Sequence, residues 1–404
     1  MNDPLFSSPD YFHGVNLFAD PIHTYIPVTY PAHDGEVCER DIIDSPWVQR
    51  LRRIHQLQSA WWVYPGAEHS RFIHSLGVMH CAGYFARKLF DSLKGSLEKR
   101  NESCPSYPLL EETVRLAGLL HDLGHGPFSH FFDDEYLSEY GITHEDLSKH
   151  LILDYFGEQI SQLRRSPTAR FEESETVNPE HVAFLIKKPA RPEEVDESMP
   201  LWVRWLQPLF CGIYTVDNID YSLRDAYMCG ISSSYVDMER LRFYTFFTDN
   251  GLTFHHAGLS ALEMFLKSRW YLYRNVYYHR TVRGIDRQLS FIFRDTIEQI
   301  LGGDPRKNLD KYLTLTDYSL LETVNTWHKS DNVKRRGLAS DWRKVVERKV
   351  MWKSVFEAEL PIHATSADEP INPGRIRAAI YDKLPPRSKD IVFEVHPPVT
   401  TPVR

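Results

Sequence analysis

Nowhere in these 404 residues does an apolar run approach the roughly 20 positions that cross a bilayer, so no membrane-spanning helix is expected. The opening MNDPLFSSPDYF has neither the basic stretch nor the apolar core of a secretory signal, and a cytoplasmic setting is the expectation. Cysteine is scarce. Its five copies (Cys38, Cys81, Cys104, Cys211 and Cys229) are odd in number and form no CxxC pair, which argues against a disulfide frame or zinc ribbon and for reduced thiols. Positive charge is also short: 47 Lys and Arg against 55 Asp and Glu leave a net charge of −8. Such a chain has no global field for a polyanion, so nucleic-acid binding would need a local basic patch. Internal repeats and low-complexity tracts are missing too.

The apolar share of 42 % and charged share of 25 % are those of a globular chain, and the length implies two or three lobes. Helical periodicity dominates, so the fold class expected is mainly α. Residues 164–200 carry EESE, PEE and DES clusters with several prolines, a polar insertion holding one short helix with Asn178 as N-cap and Pro179 at its first position. A hairpin is expected from Leu241–Thr248 and Leu252–His256 around Asp249-Asn250-Gly251. Beyond Gly302 two helices are expected, Tyr318–Thr326 and Ser340–Val355, ahead of a Pro-rich tail. The chain thus divides into 1–163, the insertion 164–200, 201–301, and an α-rich lobe with tail at 302–404.

Histidine is abundant, with 19 copies, and it is the commonest metal ligand as well as the general acid or base available near neutral pH. On a helix over Arg71–Lys94, His74 lines up with Val78, Cys81 and Phe85; a lone histidine on such a stripe is more often a satisfied core residue. The next segment, LEETVRLAGLLHDLGHGPFSHFFDD, reads as a helix whose Val114, Ala117 and Gly118 lead to His121, with small residues permitting close helix approach and Gly124 and Gly126 ending it. It gathers His121, Asp122, His125, His130, Asp133 and Asp134 at one helix end, more than a capped turn requires. Imidazoles with carboxylates suit Mn, Fe, Zn or Mg rather than a thiolate metal. The remaining ligands would be His74 and a carboxylate from CGIYTVDNIDYSLRDAY, a helix with Asp217, Tyr221 and Asp225 on one face and Asp220 and Arg224 beside it.

HSLGV, HDLGHGPFSH and VDNIDYSLRD, in that order, closely resemble the HD-domain phosphohydrolases. The likeness is best to the dNTP triphosphohydrolases, both the animal branch with a sterile-alpha-motif domain and the bacterial dGTPase-like branch. It covers about Asp20 to Phe293, and no sterile-alpha-motif domain is expected here because the HD core begins almost at once. The resemblance implies an HD helical core with a small hairpin, and hydrolysis of deoxynucleoside triphosphates at a divalent metal. By it, the metal ligands are His74, His121, Asp122 and Asp217. His125 and His130 contact the triphosphate, His130 being the general acid, with Asp133 orienting it and His144 a further member of the relay; the plain alternative for His144 is a helix-start residue.

In IHQLQSAWWVYPGAEHSRFIHS the resemblance places Gln56 on the sugar 3′-hydroxyl, Leu57 on the sugar face and Arg71 on phosphate. Tyr221 and Asp225 would contact the sugar, Arg269 phosphate, and Tyr277 would stack on the sugar, leaving a 2′-hydroxyl no partner. Most of the aromatic run Trp270–Tyr278 is expected to be core. Asp44, Gln49 and Arg52 resemble guanine-reading positions of an activator site, and Val63, Arg240 and His279 those of a second activator pocket. Several positions depart from the pattern. Asn218 stands where a phosphate-binding lysine is expected, Tyr278 replaces a base-facing glutamine, and Asn16, Ala19 and His256 thin out the activator site.

Implied partners are a dNTP substrate, a GTP or dNTP activator, and further copies of the chain in a dimer or tetramer. Two other readings stand beside this one: an HD phosphohydrolase for nucleoside mono- or diphosphates or modified nucleotides, and a nucleotide- or nucleic-acid-binding protein with weak catalysis. KKPAR and VKRRG are the basic runs that would serve nucleic acid, though each reads better as a solvated face, and nucleic acid is not an expected partner.

Overall fold

The computed structural model describes residues 13–187, 197–231, 236–349, 351–352, 378 and 381–382. Packing divides the chain into two units, Met1–Lys353 and Ser354–Arg404. Nearly all described residues belong to the first; the Pro-rich tail lies outside them. The first unit is mainly α, as expected, with two small antiparallel hairpins.

Its spine is a pair of helices. α1 (Arg71–Glu98) buries His74, Val78, Cys81, Phe85, Leu89 and Leu93, which recur at helical spacing and so share one stripe. α2 (Tyr107–Leu120) starts at Ser106, whose hydroxyl accepts from the Leu109 amide, and its described length is buried from Leu109 onward. Gly118 lets the two axes approach: a Cβ there would come within 2.8 Å of the Val78 carbonyl oxygen and the Met79 nitrogen. α2 stops at Leu120, sooner than Gly124 and Gly126 suggest. Those glycines instead admit close packing, since a Cβ at Gly124 would lie 2.0 Å from the His144 carbonyl oxygen and one at Gly126 2.5 Å from the Phe132 ring.

Short helices α3 (His130–Glu135) and α4 (His144–Asp154) follow, then α5 (Val216–Met228), whose Thr215 hydroxyl accepts from the Asn218 amide. The insertion holds the expected helix, Pro179–Ile186, capped by the Asn178 side chain. α6 (Leu259–Leu272) runs directly into a π-helical turn, Tyr273–Tyr277, before α7 (Arg280–Ser290).

β1 (Val15–Asp20) pairs with β2 (Thr24–Thr29), a hairpin that the sequence reading missed. β3 (Thr245–Thr248) pairs with β4 (Gly251–Phe254) about the expected turn, where Gly251 takes φ +91°. Leu241–Tyr244 is not strand: Asp237 caps a helix, Met238–Tyr244, that claims those residues, and β4 ends at Phe254. Toward the C-terminus Asp317–Thr326 is helical as expected. The next helix is Val333–Val346 rather than Ser340–Val355, because Asn332 caps it early and the chain leaves it at Arg348, φ +62°.

One further expectation changed. Trp270 and Tyr271 are 46 % and 47 % exposed, so the aromatic run is only partly core. VKRRG opens the helix Val333–Val346 on a largely exposed face, as expected, with Lys334 3.1 Å from Asp295 and Arg335 donating to Gln299 and lying over Trp327. Of KKPAR only Lys187 lies among the described residues, and it pairs with Asp146. Among the described residues no helix is long and apolar enough to cross a membrane.

Candidate active site

Three chain segments meet at one buried point. α1 supplies His74, the residues after α2 supply His121 and Asp122, and the first turn of α5 supplies Asp217. His74 Nε2 lies 3.1 Å from Asp217 Oδ1 and 3.7 Å from Asp122 Oδ2. His121 Nε2 lies 3.2 Å from Asp122 Oδ1 and 3.8 Å from Asp217 Oδ1. One ligand atom each from His74, His121 and Asp217 fits within 4.8 Å of the others, the spacing a single cation needs. His121 Nδ1 donates to the Gly118 carbonyl at 2.8 Å, which leaves Nε2 facing the point, buried and without a hydrogen-bond partner. An orphaned buried nitrogen aimed at two carboxylates fits a metal ion better than it fits the bare protein.

Electrostatics agree. Burial opposes a charged His74, yet the Asp217 and Asp220 carboxylates push that imidazole up to about 10. Burial also works against ionised Asp122, but the Arg71 guanidinium, with His121 and His125, holds it well below the usual carboxylate range. Asp217 is likewise held down, by His74 and His121. Negative charge concentrated in a largely buried site is what a divalent cation would neutralise.

A second cluster adjoins the first. His144 Nδ1 lies 2.5 Å from Asp133 Oδ2, His130 Nδ1 3.3 Å and His125 Nδ1 3.8 Å from the same oxygen. The His125 and His144 rings stack at 3.7 Å, and His125 Nε2 reaches Asp122 Oδ1 at 3.4 Å, joining the two clusters. Burial and Arg71 keep His125 neutral, its pKa far below normal. His144 is raised: burial lowers it, but Asp133 more than compensates. His144 opens α4 inside a Thr143–Asp146 capping box, and its Nδ1 also reaches Asp133. His130 is the exposed member.

Of the pocket residues, Tyr277 donates to Asp225 Oδ2 at 2.6 Å and Arg269 Nε donates to the Tyr221 hydroxyl at 2.9 Å. Burial keeps both tyrosines protonated by raising them well above 10. Leu57 and Tyr277 pack in one small apolar cluster with Val276 and Ala226. Gln56 leaves its buried Oε1 without a partner. Arg71 grips Asp122 and donates to Ser129 Oγ at 2.8 Å.

Of the activator-like positions, Val63 packs against the same apolar cluster as Leu57 and Tyr277. Arg52 donates to Gln49 and lies over Phe72, while Asp44 pairs with Arg40 at 3.9 Å. Val63 follows a short 3₁₀ turn, Arg240 lies over Tyr244, and His279 caps α7. Asn16 and Ala19 lie on β1, and His256 stacks near His255.

Sequence reasoning missed several partners. His69 Nε2 holds Asp225 Oδ1 at 2.8 Å, and His23 and Asp20 enter through the N-terminal hairpin. Nothing local marks them, because the pairs are 156 to 204 positions apart.

Residues 71–196, which include His74, His121 and Asp122, match the HD domain family. An HD domain thus lies within the chain, and the curated proteins it is similar to include dNTP triphosphohydrolases. It is 30 % identical over 383 residues to "Deoxynucleoside triphosphate triphosphohydrolase SAMHD1" of Gallus gallus, covering 85 % of this chain and 56 % of that protein. It is 32 % identical over 276 residues to "Uncharacterized protein YwfO" of Bacillus subtilis, covering 68 % of this chain and 54 % of that one. The chain thus spans about half the length of these relatives. Among solved structures, a hypothetical protein from Aquifex aeolicus superposes with a TM-score of 0.64 at 26 % identity, covering 92 % of this chain and 84 % of that one.

Proposed function

We propose that this chain is a metal-dependent dNTP phosphohydrolase that releases deoxynucleoside and intact triphosphate. The observation that carries this reading is the convergence of His74, His121, Asp122 and Asp217 on one buried point, with the His121 nitrogen left open toward it. A divalent ion held there (Mn, Fe, Zn or Mg) would supply charge neutralisation at the phosphate and a more acidic bound water. The chain's own residues do the rest. Asp122 and Asp217 stay ionised, His125 stays neutral, and Arg71 fixes Asp122.

In the reaction a water oxygen bonds to the α-phosphorus, the bond from phosphorus to the 5′-oxygen breaks, and the 5′-oxygen takes a proton. His130 is the donor in this reading, because it is exposed beside the cluster and Asp133 orients its Nδ1. Tyr277 and Asp225, locked by their hydrogen bond, form the sugar wall with Leu57, Gln56 and Tyr221, while Arg269, which donates to the Tyr221 hydroxyl, serves phosphate. Within this reading the HD core comprises residues 1–163 and 201–301, the chain forms a dimer or tetramer, and Asp44, Gln49, Arg52, Val63, Arg240 and His279 belong to a weakened nucleotide-activator site.

One observation favours a second reading, hydrolysis of a nucleoside mono- or diphosphate or a modified nucleotide. Asn218 lies against Asp217, Nδ2 to Oδ2 at 3.4 Å, and brings no cation to the phosphates. Product analysis by chromatography and mass spectrometry, for each dNTP with and without GTP in Mn, Mg or Fe, separates the two. Deoxynucleoside plus triphosphate, lost in a His121→Ala/Asp122→Ala variant, supports the first. Phosphate or monophosphate products establish the second, and no turnover under any condition defeats both.

A further inference from the structure

The metal-facing nitrogen of His74 is set by a chain of contacts that begins in the N-terminal hairpin. His74 Nδ1 lies 2.8 Å from Asp220 Oδ2, so the carboxylate holds the ring in the tautomer whose Nε2 faces the metal point. Asp220 in turn has two keepers. Arg224, one turn along α5, donates from Nε to Oδ2 and from Nη2 to Oδ1, both at 2.8 Å. His23, from the turn between β1 and β2, places Nε2 2.7 Å from Oδ1. The hairpin itself is clamped to the same arginine, because Arg224 Nη1 donates to Asp20 Oδ2 at 2.9 Å. Asp20 Oδ1 then accepts from the Ile22 and His23 amides at 2.8 Å, which builds the turn that presents the His23 ring.

α1 makes room for this assembly: a Cβ on Gly77 would lie 1.9 Å from Asp220 Oδ1. Every side chain in it is buried, His23 to 1 % and Asp220 and Arg224 to 0 % exposure.

His23, Cys81 and Asp220 are close enough to hold an ion of their own. Arg224 decides against that, since its guanidinium already engages both Asp220 oxygens and its charge would oppose a cation at the same carboxylate.

We infer that His23 is a positioning residue of the metal centre: the hairpin turn fixes Asp220, and Asp220 fixes the metal-facing orientation of His74. This rests on the metal site proposed above, but not on the identity of the substrate. Loss of the group that directly holds a ligating imidazole lowers metal affinity by roughly 10–100-fold, and because His23 acts one contact further out the expected loss is at the lower end of that range. The test is a calorimetric titration of the metal-stripped full chain with Mn²⁺, read beside melting curves with and without Mn²⁺. His23→Ala is expected to weaken Mn²⁺ binding into that range and to shrink the Mn²⁺-induced rise in melting temperature. His23→Gln, which keeps a donor toward Asp220, is expected to recover most of both.

The inference is overturned if His23→Ala binds Mn²⁺ like the unmodified chain, or if His23→Gln binds as weakly as His23→Ala while remaining folded. Should His23→Ala fail to fold, His23→Gln compared with His23→Asn, whose shorter amide falls away from Asp220, carries the same comparison. If the unmodified chain binds no Mn²⁺ that a His121→Ala/Asp122→Ala variant abolishes, the metal-site reading itself fails, which is a separate result. Where dNTP turnover is measurable, kcat is expected to fall in His23→Ala with KM for the nucleotide unchanged.

Discussion

His144 Nδ1 and Asp133 Oδ2 lie 2.5 Å apart, the shortest of the three imidazole approaches to that carboxylate. Burial opposes the His144 charge, but Asp133 outweighs burial and raises its pKa. The charged form therefore persists to higher pH than for a free imidazole. A rate that needs this charge beside the phosphates is full at low pH and falls as pH rises through the raised value. Asp133→Asn is expected to move that alkaline limb to lower pH and to cut kcat by roughly 10²–10⁴-fold, the usual span of general acid–base contributions. A kcat–pH profile of both proteins checks it.

His121 offers a sharper test of the metal point. Its Nε2 makes no hydrogen bond within the protein, so His121→Ala removes a candidate ligand without breaking a hydrogen bond at that atom. The variant is expected to stay folded, to retain less metal by elemental analysis, and to lose roughly 10³-fold or more in rate, since such a metal contributes several kcal/mol. Chelation of the unmodified chain should reproduce the loss, and adding back one divalent ion should restore it.

Gly118 reports on the helix pair that carries the site. A Cβ there meets backbone of α1 at 2.8 Å, and backbone cannot swing aside. Gly118→Ala gains roughly 1 kcal/mol of helix propensity but forces α1 and α2 apart, for a net loss expected at about 1–3 kcal/mol. Denaturant unfolding measures it.

Glu112 is buried, and both its carboxylate oxygens lack a hydrogen-bond partner. Burial, then the neighbouring Glu39, raise its pKa well above normal. Below the unfolded-chain value both states are protonated and Glu112 imposes no charge penalty. As pH climbs past that value the unfolded chain ionises first, so stability drains until the folded value is passed. Glu112→Gln is expected to raise the melting temperature by a few degrees at pH 8 and by less at pH 5, as calorimetry at the two pH values would show.

Much of this site was legible in one dimension. The His-Asp pair, Gly118 and the His74 stripe are encoded by short-range spacing: 3.6-residue periodicity and a run of small residues at one helix end. Asn178, Pro179 and the Asp249–Gly251 turn were readable for the same reason, because capping and turn formation are local hydrogen-bond chemistry. Local signals also misled. Gly124 and Gly126 read as helix terminators, yet their small size serves tertiary packing against His144 and Phe132. Leu241–Tyr244 read as strand until the Asp237 cap claimed it for a helix.

Helical class and the identity of the imidazoles and carboxylates are written along the chain, because periodicity and residue chemistry act over a few neighbours. Which atoms face the candidate metal point depends on contacts between distant segments. His74 turns its Nε2 inward because Asp220 takes its Nδ1, and Asp220 is held by Arg224 and by His23 from a hairpin 197 positions away. No local pattern encodes such a contact. It forms when burial strips water from the carboxylate and leaves these donors to satisfy it.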